Sequence, residues 1–98
     1  KFYNTGETQQ KGLIVMSITQ NNEKNNQAVQ NNPLKIKELI VFFNMSNERK
    51  IFDFKGAAQY QLHPIQKNGV DDRVKNSKVL TDSFVIPKLT TAVFIKSL

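Results

Sequence analysis

The spacing of apolar side chains limits this chain to strands. No segment repeats them at intervals of three and four over the ~11 positions of an average helix. Leu13–Thr19 and Glu38–Asn44 are short runs rich in Ile, Val and Phe, and they predict buried strands. Lys50-Ile51-Phe52-Asp53-Phe54 alternates polar and apolar residues before Gly56, and Gln59-Tyr60-Gln61-Leu62 does so before Pro64. Such alternation predicts half-buried strands. Ser83–Ile86, closed by Pro87, and Thr91–Lys96 supply two more; Phe2–Asn4 starts another, and Lys78–Leu80 adds a short edge. About six to eight closely spaced strands make an all-β sandwich or barrel. The connections are too short for crossover helices, so the pairing is antiparallel.

A chain of 98 residues fits one domain and buries about 65% of its unfolded surface. It has no cysteine, so packing alone holds it. Its opening, Lys1 running into Phe2-Tyr3-Asn4-Thr5-Gly6, reads as the interior of a longer polypeptide. No apolar stretch approaches the ~20 residues that cross a bilayer, and membrane insertion is not expected. From Gln20 to Asn32, nine of thirteen residues are Asn or Gln, which predicts a surface loop. Lys35 and Lys37, flanking Ile36, read as charges that guard a sheet edge.

Fourteen Lys and Arg against eight Asp and Glu give a net charge of +6, which raises a nucleic-acid partner. The lysines are spread along the whole chain rather than clustered beside aromatic rings, so ordinary solvated lysine is the reading adopted and nucleic acid is not expected.

Catalytic chemistry finds little to stand on. A glycosidase needs two carboxyl groups about 5 to 10 Å apart across a cleft, whereas Glu7, Glu23, Glu38, Glu48, Asp53, Asp71, Asp72 and Asp82 fall mostly in turns and at strand ends. Asp71 and Asp72 are adjacent and would point apart on an extended chain. His63 is the sole histidine, which excludes a His-rich metal site; at the close of a strand it is suited to bonding a backbone group. Gly6, Gly12, Gly56 and Gly69 are too dispersed to cradle phosphate and read as turn glycines. No catalytic, metal or cofactor-binding residue is expected. Asn44-Met45-Ser46 matches the glycosylation triplet in form only.

Sugar-binding surfaces present flat aromatic rings. With no Trp, and with Phe42, Phe43, Phe52, Phe54, Phe84 and Phe94 in strand interiors, only Tyr3 and Tyr60 remain as stacking platforms.

Three blocks, in order, resemble the C-terminal domain of pullulanase and limit-dextrinase type enzymes of the α-amylase superfamily. They are Phe2-Tyr3-Asn4-Thr5-Gly6 with Gly12-Leu13-Ile14-Val15-Met16-Ser17-Ile18; Leu39-Ile40-Val41-Phe42-Phe43-Asn44; and Tyr60-Gln61-Leu62-His63-Pro64-Ile65-Gln66 with Phe84-Val85-Ile86-Pro87 and Thr91-Ala92-Val93-Phe94-Ile95. Lys11 replaces the family's usual proline before Gly12, and the Asn/Gln-rich loop replaces a more acidic connection.

The resemblance implies that residues 1–98 form a non-catalytic antiparallel β-sandwich, cut from a larger enzyme whose catalytic (β/α)8 barrel lies upstream. That enzyme would hydrolyse α-1,6-glucosidic linkages in pullulan, amylopectin and limit dextrins, with its catalytic carboxylates on the barrel. By the same analogy it is a bacterial extracellular or cell-surface protein. The domain's implied role is structural support of the barrel, which requires one face of the sandwich to be unusually apolar. The alternative is an autonomous α-glucan binding module using Tyr3 or Tyr60.

Overall fold

The computed structural model describes residues 1–19 and 36–97. The chain forms two facing antiparallel sheets. One has five strands, β1 (Phe2–Tyr3), β2 (Leu13–Thr19), β3 (Ile36–Asn44), β8 (Thr90–Ser97) and β5 (Gln61–Leu62), arranged in that order across the sheet. The second has three, β4 (Lys50–Asp53), β7 (Ser83–Ile86) and β6 (Lys78–Val79). This is the all-β sandwich expected from the sequence.

Register decides which side chains meet. On the five-stranded sheet Tyr3, Val15, Phe42 and Ala92 share one cross-strand row, and Ser17, Ile40, Phe94 and Leu62 share the next. Both rows face the smaller sheet, where Phe84 and Ile86 are fully buried. At the centre, the Phe84 ring lies 4.9 Å from Phe42 and 4.7 Å from Phe94. Burying three such rings supplies several kcal/mol on the usual area scale of about 25 cal/mol per Å².

Two asparagines tie the loops to these sheets. Asn44 is only 2% exposed. Its Nδ2 donates to the carbonyls of Glu48 (3.0 Å), Ile86 (3.2 Å) and Pro87 (2.9 Å). Its Oδ1 accepts from the Ser46 amide at 3.0 Å and from Ser46 Oγ at 2.7 Å. The end of β3 is thereby fastened to the end of β7 across the sandwich. A glycosylation role for the Asn44-Met45-Ser46 triplet is incompatible with this burial. Asn4, with φ 54°, performs the equivalent task for residues 4–13, donating to Gln10 and Leu13 carbonyls and accepting from the Gln10 amide. Gly12 closes that loop at φ +77°, where a Cβ would stand 3.1 Å from Ser46 Cβ.

The structure departs from the sequence reading at four places. Gln59 belongs to a 3-10 turn, Ala57–Gln59, and the strand after it is only Gln61–Leu62. Two single-turn helices, α1 (Pro64–Lys67) and α2 (Asp72–Lys75), are too short to leave a periodic signature. Their signals are caps: His63 Nδ1 accepts from the Ile65 amide at 3.1 Å with Pro64 following, and Asp71 accepts from the amides of Arg73 and Val74. Phe43 points away from the core because it alternates with Phe42. Lys37 lies on β3, an interior strand rather than a sheet edge, beside a bulge between Ile36 and Glu38. Lys35 and the Asn/Gln-rich stretch 20–32 lie outside the described residues.

Candidate functional site

The side of the five-stranded sheet that faces away from the core is apolar across its width. Alternation along β2, β3 and β8 places Phe2, Met16, Val41 and Val93 in one row, Ile14, Phe43 and Thr91 in a second, and Ile18, Leu39, Ile95 and Gln61 in a third. None of these side chains is charged. Phe2 is 62% exposed and Ile18 53%, Met16, Val41 and Phe43 are half-buried, and Ile95 is buried. The sequence carried a sign of this face. Leu13–Met16 and Leu39–Phe43 are continuous rather than alternating apolar runs, the pattern of strands covered on both sides.

The block Leu62-His63-Pro64-Ile65-Gln66 builds one border of this face. The His63 amide donates to the Val93 carbonyl at 2.8 Å, continuing the β5 ladder by one bond. The chain then turns away into α1, and the Gln66 side chain replaces the missing strand. Its Oε1 accepts from the Val93 amide at 2.8 Å, and its Nε2 donates to the Thr91 carbonyl at 3.0 Å. A side-chain amide thus mimics a peptide group at the edge of β8 and blunts it against further pairing. The turn leaves Ile65 77% exposed, above a groove of about 350 Å³ lined by Ile36, Leu39, His63, Gln66 and Val93.

A second concavity, of about 450 Å³, opens at the opposite border between β1 and β4. Phe2, Tyr3 and Phe52 form its apolar walls, and Thr5, Thr8, Gln9 and Asp53 supply polar groups. Gln10 bridges the two sheets here, its Nε2 donating to the Ile51 carbonyl at 2.9 Å.

The two tyrosines expected as stacking platforms occupy different environments. Tyr3 lines this cleft, its ring 5.4 Å from Phe54 with Lys1 Nζ 5.0 Å from its centroid. Tyr60 does not present an open face. It is 7% exposed, and its ring packs at 5.8 Å from Phe54 and 5.7 Å from Phe84. Tyr60 is extended and two residues before core-facing Leu62, so strand alternation turns its ring inward. Burial, followed by the hydrogen bond to Glu38, pushes the Tyr60 phenol well above its ordinary range.

The described carboxylates are dispersed as the sequence suggested. Asp71 caps α2, and Asp82 Oδ1 lies 3.4 Å from the Gly56 amide. Glu48 bonds Lys50 Nζ at 2.8 Å, and that hydrogen bond holds its carboxyl below the usual range. Among the described residues no group of three or more His, Asp or Glu could hold a metal ion.

Residues 1–97 match the model of the family described as alpha-1,6-glucosidases, pullulanase-type, C-terminal. The chain is 31% identical to chloroplastic pullulanase 1 of Arabidopsis thaliana, covering 99% of this chain and 10% of that protein. Its fold superposes on the crystal structure of Klebsiella pneumoniae pullulanase complexed with maltotriose with a TM-score of 0.75 and 31% identity, over 96% of this chain and 9% of that one. PulA from Klebsiella oxytoca gives 0.74 and 26% over 97% and 9%. The chain therefore spans about a tenth of the length of the relatives it matches.

Proposed function

Because this chain belongs to the family of C-terminal domains of pullulanase-type α-1,6-glucosidases, we propose that it serves as the structural accessory domain of an enzyme that cleaves α-1,6-glucosidic linkages in pullulan, amylopectin and limit dextrins. Residues 1–98 form one domain of that enzyme, and the catalytic carboxylates reside on an upstream (β/α)8 barrel. The observation that carries the reading is the uncharged outer face of the five-stranded sheet. A face with Phe2, Ile14 and Ile18 open to water is costly in isolation, and covering it stabilises by about 25 cal/mol per Å² of apolar surface removed from water. The occupant proposed is the catalytic region of the same polypeptide, since the relatives carry roughly nine-tenths of their length outside the matched part.

Production of the upstream region and this chain as separate polypeptides tests the reading. They are expected to associate, to raise the thermal stability of pullulan hydrolysis when mixed, and to lose both effects with Ile18→Glu or Phe43→Glu. An upstream region equally active and heat-stable with or without this chain would overturn it.

A second reading, glucan binding by the domain itself, is favoured by the cleft of Phe2 and Tyr3 with its surrounding amides and hydroxyls. Titration with maltooligosaccharides separates the two. Saturable binding below about 1 mM, near −4 kcal/mol, lost with Phe2→Ala and Tyr3→Ala, supports the module.

A further inference from the structure

On the outside of the three-stranded sheet, Lys78, Val85 and Ile51 share one cross-strand row. Val85 and Pro87 floor an open cleft of about 380 Å³, whose remaining walls are Arg49, Asn76, Lys78 and Lys88. Three cations separated by up to 39 positions in sequence (88 − 49) are therefore gathered around one concavity. None of the three has a carboxylate within ion-pair distance among the described residues. The acid next in sequence to Arg49, Glu48, is committed to Lys50. Asp53 lies on the same side of β4, at the far end of that strand.

We propose that this cleft binds a phosphate group, carried as a monoester on a sugar or free in solution. Three positive charges in one concavity exceed what a single carboxylate neutralises, and they suit a group of charge near −2 with three acceptor oxygens. The floor adds a criterion of its own. Half-buried Pro87, with Val85 only 7% exposed beneath it, offers a small apolar surface to the C–H face of a ring, and the Asn76 amide supplies a donor and an acceptor beside it. The volume falls within the range of small-molecule pockets, about 300 to 1,000 Å³. The site is on the opposite side of the sandwich from the apolar face, so covering that face does not by itself close it. It does not depend on the accessory-domain reading.

Backbone amide NMR of the chain, titrated at constant ionic strength with glucose 6-phosphate, inorganic phosphate and glucose, tests the site. The phosphate-bearing probes are expected to shift Asn76, Lys78, Val85 and Lys88 and to saturate, with glucose silent. Tighter binding of glucose 6-phosphate identifies the monoester as the natural form, and equal affinity identifies free phosphate. Arg49→Gln and Lys88→Gln are each expected to weaken binding by about tenfold, as loss of one charge-assisted hydrogen bond implies. Shifts that fail to saturate, that chloride reproduces, or that survive in the Arg49→Gln/Lys88→Gln double variant would overturn the proposal.

Discussion

The Tyr60 hydroxyl donates to Glu38 Oε2 at 2.8 Å, joining the segment that precedes β5 to β3. Lys96 Nζ lies 5.9 Å from the centroid of the same ring. Burial, then the bond to Glu38, raises the phenol's pKa in the folded state. A raised pKa contributes stability that is complete below the unfolded value, about 10 for tyrosine, and is lost as pH rises through the higher folded value. Unfolding followed from pH 8 to 12 is expected to show stability falling on the alkaline side. Tyr60→Phe should flatten that decline and lower stability near neutrality by about 1 kcal/mol; an unchanged alkaline slope would contradict the assignment.

Asn44→Ala removes the donor shared by three carbonyls, two of them at the end of β7. Carbonyls left without a partner cost about 1 to 3 kcal/mol each when buried, and part of this set becomes wet on relaxation. A loss of about 3 kcal/mol in urea unfolding is expected. Asn44→Asp keeps the acceptor for Ser46 but loses the donor, so it should not restore the wild-type midpoint.

Gln66→Ala frees the Val93 amide and the Thr91 carbonyl at the edge of β8. The expected cost is about 1 to 2 kcal/mol. Hydrogen exchange at Val93 should accelerate more than exchange at Phe42, whose strand is paired on both sides.

Leu89 adopts φ 50°, a left-handed conformation in which a branched side chain is strained, and its own side chain is 54% exposed. Little packing is lost if it is replaced. Leu89→Asn is expected to raise stability by about 1 kcal/mol, equivalent to about 4 to 8 °C in Tm for a domain of this size. A lower Tm would mean that Leu89 packs in solution against something other than water.

Strand positions were legible because the information is local. Leu13–Thr19 and Ser83–Ile86 have the same bounds in sequence and structure, each being an apolar run closed by a turn residue. Strand order was not legible. That β8 inserts between β3 and β5 depends on Phe94 meeting Ile40 and Leu62, partners more than 30 residues away (94 − 62 = 32). The orientation of Tyr60, left open between a stacking platform and a core ring, is decided by the strand it leads into. Tyr60 is extended and stands two residues before Leu62, so alternation turns both side chains toward the core. The supporting role of His63 was visible from its position before proline, whereas Gln66 looked like any surface amide until β8 was beside it. The lysines that are dispersed in sequence include two, Lys78 and Lys88, that folding brings to one cleft with Arg49.

The placement of β8 also governs how the polypeptide can be made. Thr90–Ser97 is the last of the described strands in chain order, yet it occupies the interior of the larger sheet and contributes Phe94 to the aromatic centre. While a ribosome is still reading the codons before Thr90, β3 has only one neighbour, and Ile40 and Phe42 lack the residues opposite them. The sandwich closes only after translation has delivered this segment, so a message cut short upstream of it yields a product with an open sheet edge. A β3 edge left unpaired in this way is a template for non-native strand pairing, so the larger sheet is protected only once Thr90–Ser97 has been inserted.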